Sequence, residues 1–285
     1  MNDTQHKADD LKGTFPGAEG TAPDFSTVRI STHVTRIYDR LIDVQMYLVE
    51  GRDRALLIDT GFGIGDLAAL VKGLTDKPVT VVVTHGHIDH AFGAGWFDDV
   101  YMSHADLEML DTQLEWLGSI QEEARNEGRV IAPSVDPSLL KDIEPDQEFD
   151  LGGLTVRTIP FPGHSPGMHV LLIVEDRVLI TGDAANQRTF LFIPGASTIT
   201  EYRRELARVA EATAGLYDRI YISHATGNAP ITLFQDLDAL CERIQNRTDD
   251  ATPFEIAGQH ALMARQPLVG IEDAGSNIVY RSDRI

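Results

Sequence analysis

Three histidines and one aspartate lie within six consecutive residues, His85-Gly86-His87-Ile88-Asp89-His90. Imidazole and carboxylate groups suit zinc, iron or manganese better than a metal that prefers thiolate ligands. Burying four such groups for packing alone would be costly, because each needs a hydrogen bond or a charged partner. The cluster therefore indicates a metal site rather than a chance group of polar loop residues.

The cluster follows an apolar, β-branched run over residues 79–84, which predicts a buried strand. Three further candidate ligands follow strand-like runs in the same way. They are His164 after 154–159, Asp183 after 177–182 and His224 after 219–223. Ligands of layered α/β folds bind where strands end, so these side chains are expected to converge on one polar site.

Together these motifs resemble those of the metallo-β-lactamase-fold hydrolase superfamily. The resemblance rests on the histidine cluster and four other segments, and it extends from about residue 35 to about residue 245. The other segments are Leu56–Gly61, Gly163-His164-Ser165-Pro166-Gly167, Gly182-Asp183 and Ser223-His224. It implies an α/β fold, a four-layer αββα sandwich with a metal site at one edge.

The resemblance also implies a dinuclear metal site and a role for each ligand. The first metal would be held by His85, His87 and His164, the second by Asp89, His90 and His224, and Asp183 would bridge them. Two divalent ions are expected, zinc first, with manganese or iron as alternatives. Asp59 would support the site without binding metal directly.

Two metals at such a site would lower the pKa of bound water from about 15.7 to about 7. The resemblance therefore implies a metal-dependent hydrolase in which a metal-bridging hydroxide attacks a carbonyl substrate: an ester, a lactone or a thioester. Asp89 is the catalytic candidate, orienting the nucleophile or relaying a proton. Hydrolysis of a phosphodiester or another P–O or S–O bond is the alternative. A catalytically silent binding or sensing protein is disfavoured, because the ligand set is intact.

The segment after Asp183 supplies three candidate substrate contacts. Asn186 could hydrogen-bond a polar group, and Phe190 could form an apolar wall. Arg188 could bind a carboxylate or phosphate through its planar guanidinium, although pairing with an acidic side chain of the protein is an equal alternative.

The amino-acid composition restricts the classes of partner that the protein is expected to bind. The chain of 285 residues has 24 basic and 44 acidic residues, a net charge of −20, so it should repel nucleic acid and anionic membranes. A small-molecule substrate is expected, and a homodimer is possible. One cysteine excludes an internal disulfide. The N-terminal residues lack the pattern of a signal peptide and no run has transmembrane length, so a cytoplasmic location is expected.

The predicted organisation has three parts. Residues 1–25 form a flexible lead-in, 26–248 the hydrolase domain, and 249–285 a C-terminal extension packed on that domain. A helical insert at about 105–140 could be a lid, a dimer contact or plain surface. Apolar spacing predicts helices over 66–74, 105–127, 200–214 and 230–245, with Cys241 in a core stripe. Residues 255–265 are expected to form a helix and 277–280 a last strand.

Overall fold

The computed structural model describes residues 24–256, 258–266 and 275–285, so nearly all of the predicted lead-in lies outside the described residues. The chain divides into two compact units. The first contains the residues up to 143 together with 150–154, and the second contains 144–149 and the residues from 155 onward. Each unit has its own hydrophobic core.

The first unit contains a six-stranded sheet in which the strands follow one another in chain order. The strands are β1 Phe25–Arg29, β2 Val34–Asp39, β3 Val44–Glu50, β4 Ala55–Ile58, β5 Val79–Val82 and β6 Val100–Tyr101. Strands β1 to β4 pair antiparallel, whereas β4, β5 and β6 pair parallel. The histidine cluster follows the carboxyl end of β5. That end is held in position by hydrogen bonds to parallel strands on both sides.

The described residues of the first unit include three α-helices, which are α1 Leu67–Leu74, α2 Ile88–Ala91 and α3 Leu107–Asn126. Helix α1 begins after Asp66, whose carboxylate accepts a hydrogen bond from the backbone N–H of Ala69. Leu67 and Val71 of this helix are buried in the core that the sheet residues form. The predicted helices over 66–74 and 105–127 correspond to α1 and α3.

The second unit contains another six-stranded sheet, in the order β13-β12-β10-β9-β8-β7. Its strands are β7 Glu148–Asp150, β8 Thr155–Pro160, β9 His169–Ile173, β10 Val178–Gly182, β12 Arg219–Ile222 and β13 Asn228–Ala229. Strands β10 and β12 pair parallel, so their carboxyl ends lie at the same edge of the sheet. Asp183 and His224 follow these two ends, as the sequence predicted.

Helices α4 Ile199–Ala212 and α5 Leu233–Gln245 pack in the core of the second unit. Thr198 and Glu201 form a reciprocal capping box that fixes the start of α4. Both helices occupy the ranges predicted from apolar spacing. Cys241 is buried in this core, and burial raises the pKa of its thiol to about 12, so it is a packing residue rather than a nucleophile.

A smaller sheet completes the second unit, in the order β11-β16-β15-β14. Its strands are β11 Thr189–Phe190, β14 Thr252–Ile256, β15 Gln259–Met263 and β16 Ile278–Tyr280. The last strand is confirmed, but the helix predicted over 255–265 is wrong. Gly258 has a φ of +76°, a turn conformation that glycine adopts easily, and β14 and β15 pair antiparallel around it. Within the described residues, no helix is both long and apolar enough to cross a membrane.

Candidate metal centre

Four of the predicted ligands lie close together just beyond β5. His85 and His87 are in the loop, and Asp89 and His90 are in α2. The ring centroid of His85 is 4.6 Å from that of His87 and 4.2 Å from that of His90. His85 and His90 are fully buried, whereas the side chain of Asp89 is 26% exposed. The first unit therefore presents three imidazoles and one accessible carboxylate as a group.

The loop that carries these ligands is held by side chains from α3 and the residue just before it. The Asp106 carboxylate accepts a hydrogen bond from the backbone N–H of Gly86 at 2.9 Å. The side chain of Gln113 accepts another from the backbone N–H of Ile88 at 2.8 Å. Gly86 is required here, because a Cβ at this position would lie 2.9 Å from the backbone oxygen of Asp106.

Asp59 connects the end of β4 to this group. One of its carboxylate oxygens accepts the backbone N–H of Thr84 at 2.7 Å, and the other accepts the Thr84 hydroxyl at 3.0 Å. The second oxygen also lies 2.9 Å from Nδ1 of His90. Asp59 is 1% exposed, so its charge is compensated entirely within the protein. The structure thus gives Asp59 the supporting position that the sequence predicted.

These contacts determine which ring nitrogen of each buried histidine carries the proton. A carboxylate can only accept, so Nδ1 of His90 donates to Asp59. The Thr84 hydroxyl donates to Asp59, so its oxygen accepts from Nδ1 of His85 at 3.0 Å. In both rings Nε2 is then the nitrogen with the lone pair, which is the form that binds a metal ion.

The other three predicted ligands form a second group, in the second unit. His164 lies in the turn between β8 and β9, and Nε2 of His164 is 3.6 Å from the Asp183 carboxylate. Nε2 of His224 lies 3.2 Å from the same carboxylate oxygen. Nδ1 of His164 donates to the backbone carbonyl of Phe190 at 2.9 Å, so its Nε2 also carries the lone pair.

The donor chemistry of both groups fits divalent metal ions. Neutral imidazole nitrogens and carboxylate oxygens, with no thiolate, are the ligands of zinc, manganese or iron sites. Three of the imidazoles are already held in the metal-binding tautomer by a carboxylate, a hydroxyl or a carbonyl. Each unit therefore brings its own predicted ligands close together, with donor atoms of the kind that divalent metal ions prefer.

The predicted substrate contacts occupy different environments. Asn186 is buried, and its side-chain N–H₂ donates to the Asp183 carboxylate at 3.2 Å. Its side-chain oxygen accepts the backbone N–H of Arg188 at 2.7 Å, so Asn186 positions Asp183 in addition to any contact with substrate. The Arg188 side chain is exposed. Phe190 is half-buried against Phe192.

Sequence reasoning missed several residues that build the site. Thr84, which directly precedes the histidine cluster, links Asp59 to His85, and only its position at the strand end could have drawn attention to it. Asp106 and Gln113 are distant in sequence from the loop they hold, and no motif marks them. His104, which lies outside both ligand groups, has a structural contact, because its Nε2 lies 2.9 Å from the backbone carbonyl of Leu140.

Comparison with known proteins shows a match to one protein family. The model of the metallo-beta-lactamase superfamily matches residues 40–224. The human acyl-coenzyme A thioesterase MBLAC2 is 26% identical over 213 residues, which covers 66% of this chain and 75% of the thioesterase.

Solved structures with a similar fold include a metallo-β-lactamase and a sec-alkylsulfatase. The DIM-1 metallo-β-lactamase aligns with a TM-score of 0.57 at 16% identity, over 78% of this chain and 99% of that one. The sec-alkylsulfatase Pisa1 from Pseudomonas sp. aligns with a TM-score of 0.57 at 18% identity, over 78% of this chain and 42% of that one. These likenesses confirm the predicted α/β fold of the metallo-β-lactamase type.

Proposed function

Because the chain belongs to the metallo-beta-lactamase superfamily, we propose that it is a hydrolase that uses two divalent metal ions to cleave a small carbonyl substrate. The main support for this proposal is the identity of the candidate ligands and the hydrogen bonds that orient them. All seven family positions hold metal-binding side chains, and three imidazoles are fixed in the metal-binding tautomer.

The first metal would be held by His85, His87 and His164, and the second by Asp89, His90 and His224, with Asp183 as a ligand of both. Zinc is the first choice of metal, with manganese and iron as alternatives. When bound, the two ions supply Lewis acidity that makes water nucleophilic near neutral pH.

The protein's own groups hold this arrangement and move protons. Asp59 and Thr84 accept the Nδ1 protons of His90 and His85, which leaves Nε2 of each ring for a metal ion, and Asn186 fixes the orientation of the Asp183 carboxylate. Asp89 is proposed as the catalytic group, because its carboxylate reaches solvent while Oδ2 lies 3.5 Å from Nε2 of His90. From this position Oδ2 can orient the attacking water and pass its proton to the leaving group.

A thioester is the carbonyl substrate to test first. The human relative is named as an acyl-coenzyme A thioesterase, and esters and lactones share the same carbonyl chemistry. The likeness to the sec-alkylsulfatase supports the fold alone, because identity is only 18%. Cleavage of S–O or P–O bonds is therefore an outcome of the experiment rather than a second proposal.

The experiment compares metal-loaded wild-type protein with His87→Ala on five substrates: butyryl-coenzyme A, an aryl butyrate, an acyl-homoserine lactone, a phosphodiester and an alkyl sulfate. We expect turnover of at least one carbonyl substrate, and loss of metal and activity in His87→Ala. The control is Glu255→Ala, which changes an exposed residue of β14 and should behave as wild type. Turnover of only the phosphodiester or sulfate, or full activity in His87→Ala, would contradict the proposal.

A further inference from the structure

The small C-terminal sheet carries a row of apolar side chains across all four of its strands. Phe190 of β11 pairs with Val279 of β16, and Val279 pairs with Met263 of β15. In the next pair of strands, Ala261 of β15 pairs with Phe254 of β14. Because paired residues project to the same face of a sheet, this row forms one continuous apolar surface.

The two faces of this sheet have different surroundings. Ile278, Tyr280 and Leu262 project to the opposite face and pack in the main core of the second unit. The row from Phe190 to Phe254 instead belongs to a separate small cluster. The sheet is thus apolar on both faces, but only the face with Ile278 and Tyr280 packs against the main core.

Three of the side chains in the separate cluster are phenylalanines. The ring of Phe192 lies 5.1 Å from that of Phe190 and 6.1 Å from that of Phe254, and the rings of Phe190 and Phe254 are 5.8 Å apart. Phe192 is buried, whereas Phe190 and Phe254 remain partly exposed. The cluster therefore keeps an accessible aromatic edge after Phe192 has packed on it.

This aromatic edge begins at a residue that orients a proposed metal ligand. The backbone carbonyl of Phe190 accepts the hydrogen bond from Nδ1 of His164. Phe254 reaches the same place from β14, which lies beyond the residues that the family model matches. The C-terminal hairpin, which lies outside the matched family region, thus adds an aromatic side chain in contact with Phe190, whose backbone holds His164.

We propose that Phe254, together with Phe190, binds the nonpolar acyl portion of the substrate, so that acyl chains longer than acetyl are preferred. This inference rests on the proposed carbonyl hydrolysis and names the part of the substrate that the hairpin selects. A linear hydrocarbon suits the surface, because aromatic rings offer large apolar contact area and no hydrogen-bonding group. Each methylene buried there increases kcat/KM by about fourfold.

The test is a chain-length series of acyl-coenzyme A thioesters, from acetyl to octanoyl, with metal-loaded protein. For wild type, kcat/KM should rise with chain length. Phe254→Ala should lose about tenfold in kcat/KM on octanoyl thioester and less than about twofold on acetyl thioester. Phe254→Leu keeps an apolar side chain on β14, so its kcat/KM on octanoyl thioester should lie between those of wild type and Phe254→Ala. This variant provides the test if the alanine variant unfolds. Glu255→Ala, on the other face of β14, should match wild type.

A binding measurement separates this inference from the proposed function. In isothermal titration calorimetry, octanoate should bind wild type more tightly than butyrate does, and Phe254→Ala should remove most of that difference. Wild type that cleaves acetyl thioester but shows no gain with chain length would overturn the acyl assignment and leave the hydrolase standing. Equal losses on acetyl and octanoyl thioesters in both Phe254 variants would also overturn it. No turnover on any thioester, ester or lactone would overturn the hydrolase proposal and the inference with it.

Discussion

Asp59→Asn tests whether the site depends on the proton positions that the hydrogen bonds fix. The change replaces one carboxylate oxygen by an amide nitrogen and is compatible with the backbone, because Asp59 has a φ of +62°, where asparagine is well tolerated. The remaining oxygen can still accept the backbone N–H of Thr84. The new N–H₂ group cannot accept from Nδ1 of His90 or from the Thr84 hydroxyl, which the native carboxylate does at 2.9 and 3.0 Å.

The expected effect is a loss of metal affinity. In the variant, His90 is favoured with its proton on Nε2, and a reoriented Thr84 hydroxyl no longer accepts from His85. Removing a supporting partner of this kind costs about 10–100-fold in metal affinity. The upper end applies here because one carboxylate supports two ligands. We therefore expect zinc affinity to fall about 100-fold, which is about 2.7 kcal/mol of binding free energy.

The assay is a competition titration of zinc against a chelator of known affinity, with thermal melts of the metal-free proteins. Asp39→Asn is the matched control, because Asp39 and Asp59 are equally buried at 1% exposure, and the Asp39 carboxylate accepts the backbone N–H of Leu41. Zinc affinity in Asp59→Asn within about twofold of wild type, with the fold intact, would refute the tautomer argument.

Three further predictions concern other parts of the molecule. Burial raises the pKa of Asp39 to about 7 in the folded protein, so its contribution to stability is present at acidic pH and is lost as pH rises through 7. As pH rises from 4 to 8, the free energy of unfolding of Asp39→Asn should therefore increase by on the order of 4 kcal/mol relative to that of wild type. Urea unfolding measures this, and a difference between the two proteins that does not change with pH would contradict the prediction. Arg188→Ala should raise KM more than it lowers kcat if Arg188 only holds the substrate, and steady-state kinetics would show the reverse if it acts in the chemical step. Gly95→Ala should destabilise by about 2 kcal/mol or more, because its Cβ would lie 1.9 Å from the carbonyl oxygen of Pro133, whereas exposed Gly118→Ala in α3, with no atom within 4 Å, should be neutral or stabilising.

The parts of the site that the sequence predicted are those with local signals. The ligands of both units directly follow short apolar strands, and the turn that holds His164 lies between two of them. Strand ends and ligand types can both be read from neighbouring residues, so these positions were found. The helices α1, α3, α4 and α5 were found for the same reason, since their apolar spacing is a property of one segment.

The parts that could not be predicted depend on contacts between distant residues. The segment of β14 and β15 predicts a helix by its apolar spacing, which is compatible with either structure, and the turn at Gly258 makes it a hairpin. The pairing of β11 with β16 joins the loop after Asp183 to the C-terminal segment. No local pattern specifies such a pairing, so the position of Phe254 beside Phe190 became visible only in the structure.

The pairing of β11 with β16 also sets the order in which the two ligand groups can form during synthesis. The first unit ends at residue 154, so every element around His85 and His90 is present once that residue has been made. In the second unit, Phe190 orients His164, yet β11 has its parallel partner only after Ile278 is available. At about 5–20 residues per second, Ile278 follows Asp183 by on the order of ten seconds. During that interval the first ligand group is complete and the second is not, so the proposed metal ligands would become available in two stages.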